Sequence, residues 1–158
     1  MPSDVVGPYI ISHVVAVMFL VAAWRWPGTA RFITGIGFIL AGIFNIRTAL
    51  NSPEAYVQGF GPHALPLYRE FIYGAFARHT ATLVIAIASG QIVVGILTFA
   101  HAPSRTWGYL GGIVFLLAIT PLGIGSAAPS NLIFAIAIAT LLRDECEQRT
   151  ASHEHPTA

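Results

Sequence analysis

The sequence predicts an all-α integral membrane helical bundle of about five transmembrane helices, with four as the alternative. Three observations lead there. Hydrophobic residues fill 55% of the 158 positions and charged residues only 9%, against roughly 25% charged in a soluble domain whose surface must face water. The mean hydropathy is +0.70. The apolar residues gather in long runs broken by short polar punctuation, most of them close to the roughly 20 residues that a helix needs to cross about 30 Å of hydrocarbon. The same composition excludes disorder, and a formal charge of +1 without a basic cluster excludes nucleic acid as a partner. The lipid bilayer is the partner it requires.

The first run covers residues 8–26 and ends in Trp24, Arg25 and Trp26, an interfacial anchor. The preceding MPSDVVG holds an acid and no base, whereas a cleaved signal peptide opens with a positive region, so this run reads as a retained helix. The second run covers 30–50 and the third 80–100. The fourth covers 106–122, where Trp107 and Tyr109 suit an aromatic belt. Residues 123–130 (GIGSAAPS) interrupt the pattern, and a fifth run ends at Leu142. The last two runs together are too long for a single span, so Gly123, Gly125 and Pro129 mark a tight turn between two spans. Residues 1–143 then form the bundle, and 144–158 form a polar tail.

Arginine placement orients the chain. All 8 basic residues are Arg, beside heavy Ala, Gly, Val and Ile usage, which goes with a GC-rich bacterial genome. Arg25, Arg31, Arg105, Arg143 and Arg149 share one side of a five-span arrangement, and Arg47, Arg69 and Arg78 the other. The positive-inside rule puts the larger group in the cytoplasm. The chain is thereby expected in the bacterial cytoplasmic (inner) membrane, N-terminus outside and C-terminus inside. The outer loop, residues 51–78, divides in two. Pro53, Gly59, Gly61, Pro62 and Pro66 exclude regular structure from its first half. From there LYREFIYGAFAR places Leu67, Phe71 and Ala75 on one helical face, with Pro66 set to start the helix. A short amphipathic helix in the outer interface is expected, either a lid on the bundle or a gate for substrate.

The second helix carries the clearest pattern. Arg31, Gly35, Phe38, Gly42 and Asn45 fall within a stripe roughly 80° wide. Small residues there let another helix come close, and Asn45 is either a polar pin inside the bundle or a ligand contact. The third helix has a comparable face of Ala81, Ala88, Gln91, Gly95 and Thr98, and the fourth opens with Gly108 and Gly112 in GxxxG spacing. Polar groups placed in lipid are the first place to look for function. His13, Asn45, Arg47, Arg69 and Glu70 come near the outer ends, with Gln91 deeper; in a packed bundle they could ring an outward-facing pocket. The competing reading is structural, with Arg47 snorkelling to headgroups and Glu70 paired to an Arg.

The order Arg-xxx-Gly-xx-Phe-xxx-Gly-xx-polar, from Arg31 to Asn45, resembles the first helix of DoxX-like membrane proteins. The segment Gln91-Ile92-Val93-Val94-Gly95-Ile96-Leu97 is similar to their second helix. The resemblance covers residues 31–143 and leaves the first helix as an extra span. It departs where Asn45 stands for the usual Lys and Gln91 for the usual Glu, each removing a charge. It implies an accessory subunit of a membrane redox system, binding a quinone or small sulfur species. A non-enzymatic small transporter or a structural partner of a membrane complex is the other class, and either could require a membrane-protein partner or a second copy.

Other chemistry finds little support. His13 and His79 are lone histidines on their helices, whereas a haem b bundle supplies facing pairs, so haem is disfavoured. His153 and His155 belong to a flexible polar terminus rather than a metal clip. The single cysteine, Cys146, excludes an intrachain disulfide. No Walker loop, GxSxG, HExxH or CxxC occurs. Five spans with an external N-terminus make a C-terminal fusion active when its reporter works only in the cytoplasm, and silent when it works only in the periplasm. The reverse pattern overturns the span count or the orientation.

Overall fold

The structure, a computed structural model, describes residues 3–154. It is all-α, with α1 (Ser3–Arg25), α2 (Pro27–Asn51), α3 (Glu54–Phe60), α4 (Pro66–Phe71), α5 (Thr80–Phe99), α6 (Ser104–Ile119) and α7 (Ser130–Glu154). Among the described residues, three segments are long and apolar enough to cross a membrane: Pro27–Asn51, Thr80–Phe99 and Ser104–Gly123. Tyr9–Arg25 is a shorter apolar helix. Large apolar side chains such as Leu40, Phe44 and Val114 point away from the bundle, as lipid-facing positions do.

The long helices alternate in direction, and α2 against α5 is the tightest pair. Pro27, at the first turn of α2, needs no hydrogen-bond donor there and fixes the break after α1. On α2, Thr34, Gly35, Phe38 and Gly42 are buried; on α5, Ala88, Gln91, Gly95 and Thr98 are. A Cβ on Gly42 would lie 2.6 Å from Ile92 Cγ1 and 2.7 Å from the Ala88 carbonyl. One on Gly95 would lie 2.6 Å from the Gly35 carbonyl, and one on Gly35 would run into Thr98 and Phe99. The backbones therefore meet with no side chain between them, which is how helices gain dispersion contact in lipid. A Cβ on Gly108 would lie 3.0 Å from Leu97 and Thr98, and one on Gly112 would lie 3.2 Å from the Phe38 ring. The interior these helices enclose includes Ala23, Ala30, Phe38, Tyr109, Ala137 and Ile138.

Residues 52–79 cap one end of the bundle. The sequence reading excluded regular structure from the first half of this segment, but α3 forms there. Pro53 sits at the N-cap and Gly61 at the C-cap, so these two breakers bound a helix, and Gly59 is accommodated in its last turn. Buried Tyr56 holds α3 down. After Pro66 the chain is helical through Arg78, with a π-helical turn at Ile72–Phe76. That turn points Ile72 and Phe76 at the bundle while Leu67 and Phe71 stay exposed. The α6–α7 connection reaches the same end: Leu65 N–H donates to the Pro121 carbonyl at 3.0 Å. Gly123, at φ +74°, backs onto the His63 carbonyl where a Cβ would not fit.

At the opposite end the polar segment after Arg143 is no loose tail, because α7 runs on to Glu154. Glu and Arg at four-residue spacing support such an extension: Arg143 pairs with Glu147 at 3.4 Å and Arg149 with Glu145 at 3.9 Å. Glu145 also accepts from Arg105 Nη1 at 2.8 Å, tying α7 to the start of α6 with both side chains largely buried. His155 lies outside the described residues. Gly42→Ala should lower the detergent melting temperature through overpacking of about 1–3 kcal/mol. Gly90→Ala, where a Cβ meets nothing within 4 Å, should leave it unchanged or raise it; equal effects would remove the seam.

Candidate functional site

Three polar side chains, half-buried Asn45 between buried Tyr56 and Gln91, form a chain running from the cap into the interior. The Tyr56 hydroxyl donates to Asn45 Oδ1 at 2.9 Å and lies 3.1 Å from the Asn45 carbonyl. Asn45 Nδ2 in turn donates to Gln91 Oε1 at 2.8 Å. Three elements supply the three residues: α3, α2 and α5. The carbonyl of Asn45 can only accept, so the phenol must be the donor. Burial pushes the Tyr56 phenol above its usual range, while a hydrogen bond with the Thr48 side chain acts the other way; the proton needed for donation is thereby retained at neutral pH.

Beneath this chain lies a cleft of about 350 Å³, bordered by α1, α2, α5, α6 and α7. Its walls include two aromatic pairs. Phe19 and Phe134 have ring centroids 5.6 Å apart, and Phe38 and Phe115 meet edge to face at 5.8 Å. Gln91, Asn131 and Thr34 are its polar side chains. Two of them are occupied elsewhere: the Thr34 hydroxyl donates to the Ala30 carbonyl, and Asn131 Nδ2 donates to the Ser126 carbonyl at 2.6 Å. A larger recess of about 520 Å³ lies between Glu54 and Gln58 of α3, Arg78 and His79 before α5, and Thr80 at its start.

Of the six residues marked from sequence as a ligand set, the structure brings Asn45 and Gln91 into direct contact. His13, Arg47, Arg69 and Glu70 make no hydrogen bond or ion pair with either, among the described residues. His13 is half-buried; its Nδ1–H donates to the Tyr9 carbonyl at 2.8 Å and its ring lies 4.3 Å from that of Tyr9, all on α1. Arg47 is exposed, and Arg69 reaches the Pro62 and Ala64 carbonyls at 3.4 and 3.3 Å, bracing the α3–α4 link. Glu70 is exposed. An outward cavity touching His13, Asn45 and a loop charge is not what the two recesses described here provide: Gln91 alone of the six borders either one. The side chains that sequence reasoning passed over are Tyr56, the anchor of the chain, and Glu145, the partner of Arg105. Among the described residues no group of three or more His, Cys, Asp or Glu is placed to hold a metal ion. In comparisons with known proteins, the chain matches no family model, no curated protein and no solved structure.

A double-mutant cycle on Asn45→Ala and Gln91→Ala, read by detergent unfolding, should return a coupling of about 0.5–1.7 kcal/mol, the range of interhelical hydrogen bonds in membranes. Tyr56→Phe should cost about 1 kcal/mol. Additive effects at Asn45 and Gln91 would show that the amides do not interact.

Proposed function

We propose that this is a five-span protein of the bacterial inner membrane, N-terminus outside and C-terminus inside, similar to DoxX-like proteins. In this reading it is an accessory subunit of a membrane redox system and binds a quinone or small ligand toward the outer face. Helix α1 and the apolar first half of α7 supply the spans beyond the three long apolar ones. The observation that supports the reading best is the buried Tyr56–Asn45–Gln91 chain. Uncharged polar side chains carried into lipid cost free energy unless paired, and their placement above an apolar cleft is the arrangement of a ligand site with few orienting groups.

One observation favours the second reading, a structural partner of a membrane complex: Asn45 and Gln91 bind each other, as a packing pin would. Organic extraction of the gently solubilised protein separates the two. A quinone should be recovered at near one per chain, well above its proportion in the bulk membrane extract. Recovery in proportion to bulk lipid would leave the structural reading.

A further inference from the structure

The Gln91 amide is half used. The side chain is 4% exposed, and its Oε1 accepts from Asn45. Asn45 turns its nitrogen to Gln91, and Gln91 presents its own oxygen. The Nε2 group is left over. It has two N–H donors and, among the described residues, no acceptor. A donor without a protein partner is poorly satisfied where water is scarce. Gln91 lines the aromatic cleft, whose other polar donors are already engaged.

The cleft also has an opening. Gly37 and Ile33 border it and are exposed, on a helix apolar enough to span the membrane. Entry is therefore from the side, through the bilayer. Gln91 lies 11 residues into α5 from Thr80, or about 16 Å along the helix at roughly 1.5 Å per residue. That depth is near the middle of the hydrocarbon layer.

We infer that the cleft binds an apolar molecule carrying a carbonyl oxygen, which accepts from Gln91 Nε2–H while its body lies among the phenyl rings of Phe19, Phe38, Phe115 and Phe134. The inference rests on the reading of the chain as a ligand-binding membrane bundle, moves the site from the outer face to mid-layer, and names the chemistry. A carbonyl is selected because the protein offers donors only at that point, and a flat or slender body because the walls are paired aromatic rings. The oxygen could belong to a membrane quinone or to a glycerolipid ester. The mid-layer depth of Gln91 favours the quinone, since ester groups sit at the interface.

The test uses the full chain in nanodiscs with two probes, a decyl-substituted benzoquinone and monoolein. Bound probe is quantified by extraction, and its C=O stretch is read by infrared spectroscopy. Gly37→Phe fills the cleft from a position where a Cβ meets nothing within 4 Å, so the fold should persist; it should weaken quinone binding at least tenfold. Gln91→Leu should weaken it about tenfold and abolish the downshift of the carbonyl stretch. Saturable binding of monoolein alone, with the same sensitivity to both variants, would keep the carbonyl cleft and overturn the redox reading. Quinone binding unchanged in both variants would overturn the cleft and keep the redox reading. No saturable binding of either probe would overturn both.

Discussion

The contact between α2 and α5 constrains everything else in this molecule. In lipid, two apolar helices gain little from hiding from solvent, because the hydrocarbon around them is as apolar as they are. What holds them is dispersion at short range, and Gly35, Gly42 and Gly95 supply the range. Once the two backbones touch, Asn45 and Gln91 come within hydrogen-bonding distance, and the buried chain from Tyr56 can close. Phe38, on the same face of α2, is carried against Phe115 and Gly112 and so helps to wall the cleft. The seam and the site are one piece of geometry.

How much of this the sequence discloses depends on whether the determinant is local. The stripe from Arg31 to Asn45 was legible because a helix converts spacing into a face, and the face found in the structure is buried along most of that stripe. The turn at Gly123 was legible for the same kind of reason, since glycine tolerates a positive φ. Helix α3 was not: a count of prolines and glycines says that helix is interrupted somewhere, but not whether the breakers fall inside or at the ends. Here Pro53 lies before the helix and Gly61 after it, and Gly59 is accommodated in the last turn. A single tyrosine between them, three residues after Pro53, was the available hint.

Pairings between distant segments were the least accessible. In the sequence Arg105 reads as an orienting charge and Glu145 as part of the polar tail, because nothing in either neighbourhood points to the other. Their 2.8 Å contact exists only because α6 and α7 are antiparallel neighbours. The spacing of Arg143 with Glu147, and of Glu145 with Arg149, could have signalled that the helix runs on. The grouping of His13, Arg69 and Glu70 with Asn45 failed for the converse reason: similar depth along the membrane normal does not make residues neighbours around the bundle. His13 turns back to its own helix, and Arg69 is spent on the cap.

Helix α7 is a single rod, unbroken from Ser130 to Glu154. Near its start Asn131 and Phe134 border the cleft, and further along Glu145 is gripped by Arg105. Phe134 and Glu145 are separated by 11 residues, about 16 Å of stiff helix. A rod of that kind transmits torque. A turn of the shaft at its polar end would swing the phenyl that faces Phe19 and change the width of the slot between them. The ion pair with Arg105 is then a detent, setting the angle at which the shaft rests.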